Sequence, residues 1–254
     1  MRDAWRLAVG TLTAVPVRSP TAVDRRTAGT AMVLAPLAVL PLAVVVTGVG
    51  LVGAWAGLPG LLVAVLAVAG VVLGNRALHL DGLSDTVDGL AASFDRERSL
   101  AVMRTGTSGP AGVAAVVLVL AVQVVALAPV LDSVRGAVLA GVSACVSRAA
   151  LSLCCVRGLP AARTDGLGNV YTQTVPRLVV AAAWVLGSAA LVAVAAWAGS
   201  PWWSGLVAAG LALVVLAALL RHVLRRLGGV TGDVFGAAVE LAWAALLVGL
   251  AVSP

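Results

Sequence analysis

The chain has 254 residues, 61% of them hydrophobic and only 11% charged. Soluble domains are about half apolar and about a quarter charged, so a soluble fold of this length could not keep that much apolar surface from water. The net charge is +6, but all 17 basic residues are Arg and they sit in short polar connections. That arrangement reads as topology signals and excludes a nucleic-acid binder, which needs a basic stripe on a folded polar face.

Taken in chain order, the first 30 residues carry Arg2, Arg6, Arg18, Arg25 and Arg26. They hold no short apolar core ending in a small-residue cleavage site, so no cleavable signal peptide is expected. Seven apolar stretches then follow, near residues 31–54, 59–78, 111–131, 136–156, 178–199, 203–220 and 235–252. Each is long enough, or nearly so, to cross a hydrocarbon core that takes about 20 helical residues. Pro36 and Pro41 interrupt the first stretch and predict a kink or a partly re-entrant segment. Trp202 and Trp203 open the sixth and suit a headgroup interface. Cys145, Cys154 and Cys155 lie inside one apolar stretch, without the spacing of a zinc site, and read as small packing residues.

The connections set the topology. Those before the first span and after the second, fourth and sixth hold fifteen Arg, counting Arg76 at the end of the second stretch; the alternate ones hold Arg135 alone. This bias predicts a cytoplasmic N-terminus and a C-terminus on the other side. The expectation is an all-α polytopic membrane bundle of about seven spans, residues 1–254 forming one integral membrane domain with no room for a separate globular one.

Acidic residues are scarce, and where they gather is informative. Residues 79–110 form a long polar connection that opens with His79-Leu80-Asp81-Gly82-Leu83-Ser84-Asp85-Thr86-Val87-Asp88-Gly89. At about 100° per helical residue, Asp81, Asp85 and Asp88 fall within roughly 60° of one another. Three carboxylates on one face repel unless a cation neutralises them, and an all-oxygen set favours magnesium, manganese or calcium. A second block, Gly228-Gly229-Val230-Thr231-Gly232-Asp233, leads into the last span, where Gly236, Ala237 and Glu240 share a face with Asp233. Glu240 lies about two turns into that span, a depth at which an ionisable group is costly unless used or paired. Arg148 is the one Arg deep inside a span, Arg76 lying at the end of its stretch, and reads as an anion ligand or the partner of an intramembrane ion pair. Two polar loops on the same side, Arg104 to Pro110 and Arg163-Thr164-Asp165-Gly166-Leu167-Gly168, have the Gly, Ser, Thr and Arg content of phosphate-binding loops. Metal-binding acids and Arg at one face are what transfer of a phosphoryl-linked group requires.

These blocks, in this order, resemble the cobalamin synthase family, the adenosylcobinamide-GDP ribazoletransferases. The resemblance rests on Leu12-Thr13-Ala14-Val15-Pro16-Val17, the His79–Gly89 motif, Asp95-Arg96-Glu97-Arg98 with Met103-Arg104 and Gly109, Arg163 to Gly168, and Gly228 to Leu241. It implies a magnesium-dependent enzyme of the cell membrane, at the end of the vitamin B12 pathway, with its active site facing the cytoplasm. Such an enzyme joins adenosylcobinamide-GDP to α-ribazole or α-ribazole 5′-phosphate and releases GMP. Asp81, Asp85, Asp88 and Asp233 would then hold magnesium, and Arg104, Arg148, Arg163, Asp165 and Glu240 would contact substrate. His79 is the residue placed to act as catalytic base. Where members of the family carry an acid in the loop after the Met-Arg pair, this chain has Thr105 and Thr107. The resemblance leaves room for a homo-oligomer. The rival readings are another intramembrane magnesium-dependent transferase, of CDP-alcohol phosphotransferase or prenyltransferase type, and an ion-coupled transporter. The transporter would place its carboxylates near the membrane midplane.

Overall fold

The structure is a computed structural model, and it describes residues 1–252. Its elements are all helices: α1 (Arg2–Leu12), α2 (Arg25–Ala38), α3 (Leu40–Trp55), α4 (Gly60–Gly74), α5 (Leu78–Ala92), α6 (Arg96–Val102), α7 (Pro110–Val130), α8 (Val134–Ser147), α9 (Ala149–Cys154), α10 (Leu167–Tyr171), α11 (Arg177–Ala198), α12 (Trp202–Leu227) and α13 (Gly232–Ala251). Among the described residues there are no strands, only isolated bridges joining Val156 to Val175 and Ala161 to Val230. Six stretches are long and apolar enough to cross a membrane: α2 with α3, α7, α8 with α9, α11, α12 and α13. Counting α4 with α5 as one bent span makes seven.

The apolar content is divided between core and lipid. In α13, 83% of the apolar stretch is buried inside the protein, against 22% in α7 and in α11. α13 is therefore the central post, and α7 presents Val113, Val117, Leu118, Val122 and Val125 outward as a lipid-facing stripe. Pro36 and Pro41 have the expected effect: the first span breaks at Val39, and α3 restarts with Pro41 in its first turn, where a missing N–H costs nothing.

The polar connection expected at 79–110 is mostly helical, and it is not a surface loop. After Gly74 the chain turns by 88° through Arg76 and Ala77, both with positive φ (58° and 56°), into α5. Left-handed backbone at non-glycine residues costs about 1–3 kcal/mol each. The Arg76 guanidinium, donating to the Gly10 carbonyl at 2.8 Å, and the Ala14 N–H, donating to that of Gly74 at 2.6 Å, help hold the turn in place. Gly60 lies beside Ala128 and Asp132 at the end of α7, whereas Asp88 lies beside Gly109 at its start. α4 and α5 together thus run the length of α7. α5 buries Leu80, Gly82, Leu83, Ser84, Thr86, Asp88 and Gly89 against its neighbours and leaves Asp81 exposed and Asp85 half-buried.

Arginines knit one end of the bundle. Arg25 donates to the Thr172 carbonyl, Arg96 to those of Leu227 and Ala162, Arg226 to those of Leu90 and Ser93, and Arg163 to that of Leu100. These bonds tie the starts of α2 and α6, the end of α12 and the 157–176 connection into one polar face. Arg135 belongs to the other end, stacked over Trp197 at 5.3 Å.

Candidate active site

The site is built where α5 crosses α13. A Cβ added at Gly82 would stand 2.6 Å from the Asp233 carbonyl oxygen and 3.1 Å from its Cα. One added at Gly236 would stand 2.8 Å from the His79 carbonyl oxygen and 3.2 Å from the Gly82 Cα. The helices therefore touch backbone to backbone, which only glycine at both positions permits. This contact sets Asp81 and Asp85 of α5 beside Asp233 in the first turn of α13, where Asp233 accepts from the Thr231 hydroxyl at 3.1 Å. Asp85 is under electrostatic influence from Asp81, Asp233 and Asp88 together, with Arg163 opposing them.

Asp88 has other work. Its carboxylate accepts from the Gly109 N–H at 2.7 Å and the Gly112 N–H at 2.8 Å, capping the start of α7. Of the other three acids, Asp81 is exposed and Asp85 and Asp233 are half-buried. Among the described residues no three His, Cys, Asp or Glu side chains converge closely enough to hold a metal ion unaided. Magnesium is commonly held by one or two carboxylates together with waters and substrate phosphates, not by an all-protein cage. Asp81, Asp85 and Asp233 fit that pattern: an open, all-oxygen, mutually repelling set.

Arg163 faces the same acids. Its Nη2 donates to the Leu100 carbonyl at 2.6 Å, while its buried Nε has no partner. Burial draws this guanidinium below its ordinary pKa, and Asp233 and Asp85 counter that; an Arg nonetheless stays charged. Arg104 reaches both oxygens of Asp165, at 2.6 and 2.7 Å, and joins the two polar loops. Both side chains are more than half exposed, and such surface pairs contribute about 0–1 kcal/mol. A phosphate could open this pair at little cost.

Cavities adjoin these residues on several sides. A small one of about 120 Å³ lies between Arg163, Asp165 and Asp233. It shares Arg163 and Asp165 with an open cleft of about 550 Å³ that Arg96 and Asn169 also line. On the other side of Asp233, a cavity of about 270 Å³ runs beneath α1.

Arg148 and Glu240 are placed elsewhere. Both are buried within the bundle and line none of these cavities. Glu240 accepts from the Gln123 amide at 2.7 Å and lies 3.8 Å from His79 Nδ1, which Asn75 also approaches at 3.3 Å. Arg148 donates to the Ala144 carbonyl and the Ser147 hydroxyl and lies within electrostatic reach of Glu240, without an ion pair. The structure therefore brings together Asp81, Asp85, Asp233 and Arg163, with Arg104 and Asp165 at the rim. It sets Arg148 and Glu240 in a buried polar network behind His79.

A family model described as cobalamin-5-phosphate synthase matches residues 4–251. The chain belongs to the cobalamin-5-phosphate synthase family. Curated relatives named adenosylcobinamide-GDP ribazoletransferase include one from Nocardioides sp., 56% identical with 98% of each chain covered. Another, from Frankia casuarinae, is 37% identical over 98% of this chain and 94% of its own. A third, from Pseudomonas paraeruginosa, is 38% identical over 99% and 100%. No solved structure matches the chain.

In this cobalamin-5-phosphate synthase family member, several residues of the site and its support were not singled out from sequence. Gln123 is the one strongly polar residue in the apolar run of α7, and that isolation was a usable signal. Thr231 and Asn75 gave none, because polar residues near helix ends are ordinary. In the sequence the first 30 residues stand out for their Arg residues and the Leu12–Val17 segment, with no helix expected there, yet the buried Ala4, Ala8, Val9 and Leu12 of α1 roof the bundle beside the site.

Proposed function

We propose that this chain joins adenosylcobinamide-GDP to α-ribazole or α-ribazole 5′-phosphate, giving adenosylcobalamin or its 5′-phosphate and GMP. The observation that carries this reading, beyond family membership, is the glycine crossing that sets Asp81 and Asp85 beside Asp233 with Arg163 opposite. In this reading Arg163, with Arg104 once its pair with Asp165 opens, holds the diphosphate of the donor and orients it. The ribazole hydroxyl oxygen bonds to the cobinamide-linked phosphorus, and the bond from that phosphorus to the GMP oxygen breaks. GMP leaves with the electron pair. The hydroxyl proton passes to His79 Nε2, a buried atom without a partner in a residue that lines the same cavity as Asp81 and Asp233. Magnesium would be held by Asp81, Asp85 and Asp233 with the substrate phosphates, and when bound it supplies positive charge against the diphosphate.

The Arg-rich face would lie in the cytoplasm, with residues 1–254 acting as one transferase domain of the cytoplasmic membrane. The test is growth. Cells lacking their own cobalamin synthase should regain B12-dependent growth on cobinamide when they express the wild-type chain, and not when they express Asp233→Asn. Failure of the wild type despite membrane insertion and intact precursors would overturn the reading.

A further inference from the structure

We propose that the 270 Å³ cavity beneath α1 seats the heteroaromatic ring of the accepting nucleoside, and that this cavity selects the acceptor. The inference rests on the reaction proposed above and adds to it the place where the acceptor binds. Size is the first argument. Pockets for drug-sized ligands run from roughly 300 to 1,000 Å³; at about 270 Å³ this one lies just below that range, the scale of a nucleoside base and far short of a corrin macrocycle.

Its lining is the second argument. Leu12, Met32 and Leu151 supply apolar walls from three different helices. Tyr171 and Phe235 meet edge to face, centroids 6.3 Å apart, and offer a bound ring both an aromatic face and an edge. His79 also lines the cavity, and its Nε2, in a residue only 3% exposed, has no hydrogen-bond partner. The sugar hydroxyl of the acceptor, donating to it as the transfer requires, would satisfy it, and a lipid tail would not.

Position is the third. The lining of the cavity includes Asp81 and Asp233, and Asp233 is also a wall of the pocket that Arg163 lines. An acceptor entering from the apolar side and a donor held on the Arg side would meet across Asp233, with the sugar hydroxyl of the acceptor turned toward the acids. This division keeps the charged diphosphate out of the apolar cavity, where its desolvation would be costly.

The test uses the full chain in nanodiscs, with α-ribazole and adenosylcobinamide-GDP as probes. Thr11 lines the cavity from the partly exposed side of α1, and Thr11→Trp should fill it. Tyr171→Leu keeps bulk and removes the aromatic face. Each should raise KM for α-ribazole by about tenfold or more while leaving KM for adenosylcobinamide-GDP unchanged. Equilibrium dialysis of labelled α-ribazole should show the same weakening without turnover. If Thr11→Trp unfolds early, as read by its melting temperature, Tyr171→Leu decides alone. A wild type that performs no transfer refutes the proposed reaction. An active wild type whose variants keep normal KM and binding for α-ribazole refutes this inference. So does a lipid that native mass spectrometry finds held in the cavity and that saturating α-ribazole does not displace.

Discussion

Gly82→Ala is the sharpest perturbation of the crossing on which the site depends. The added methyl would lie 2.6 Å from the Asp233 carbonyl oxygen, 3.1 Å from its Cα and 3.2 Å from its carbonyl carbon. All three are backbone atoms of a buried helix, so no side chain can swing aside. α5 and α13 must part by several tenths of an ångström or more. Overpacking of this kind costs about 1–3 kcal/mol, offset in good part by the better helix propensity of Ala, about 1 kcal/mol. The catalytic effect should be larger, because parting the helices carries Asp81 and Asp85 away from Asp233, and an error of about 1 Å can cost about a hundredfold in rate. The control is Gly48→Ala in α3, where an added Cβ meets nothing within 4 Å. GMP release and thermal unfolding should be measured on the same detergent-purified preparations. The expected result is a loss of kcat near a hundredfold with a folded protein for Gly82→Ala, and wild-type rates for Gly48→Ala. A Gly82→Ala enzyme with a normal rate would refute the claim that this crossing positions the acids.

Asp85→Asn should lower turnover by at least about a hundredfold, the loss expected from removing one electrostatic stabiliser worth about 2.7–4 kcal/mol. Its fold should hold, and near-normal rates at low magnesium would rule it out as a ligand. Asp88→Ala should instead destabilise the protein by about 2–3 kcal/mol, since two backbone N–H groups lose a charged acceptor. Added magnesium should not restore it, and unchanged unfolding would remove its capping role. Glu240→Gln and Arg148→Met should couple in a double-mutant cycle by roughly 0.5–3 kcal/mol, because each charge is buried within reach of the other; additivity would separate them. Reporter fusions after Arg98 and after Ser200 should fall on opposite sides of the membrane, cytoplasmic for Arg98, and finding them on one side would refute the proposed orientation.

Hydropathy located the spans well wherever lipid contact decides them. The stretches expected at 111–131, 178–199 and 235–252 match α7, α11 and α13 to within a few residues. It failed where charge and helix coexist. The sixth stretch was expected to stop at residue 220, before Arg221, but α12 continues to Leu227 because Val223 and Leu227 stay buried between the arginines. The second stretch was expected to run to residue 78, but the chain turns after Gly74, and no local signal marks Arg76 and Ala77 as left-handed. Of the site, helical spacing placed Asp81 and Asp85 on one face, and the blocks named Asp233 and Arg163. Spacing could not tell that the carboxylate of Asp88 is spent on α7, or that Arg148 and Glu240 lie behind the site, because both depend on contacts more than 20 residues away. The tight Gly82–Gly236 contact is likewise tertiary. Sequence offered small residues at many positions, and the packing chose these two.

The central claim is that the acids at the α5–α13 crossing serve transfer from adenosylcobinamide-GDP to ribazole. It is tested most directly with the purified chain in liposomes, supplied with adenosylcobinamide-GDP and α-ribazole and titrated with magnesium. GMP and adenosylcobalamin should appear in equal amounts, only when magnesium and both substrates are present, and not with Asp233→Asn. GMP release by Asp233→Asn at the wild-type rate, or no GMP from a folded wild type with both substrates intact, would contradict it.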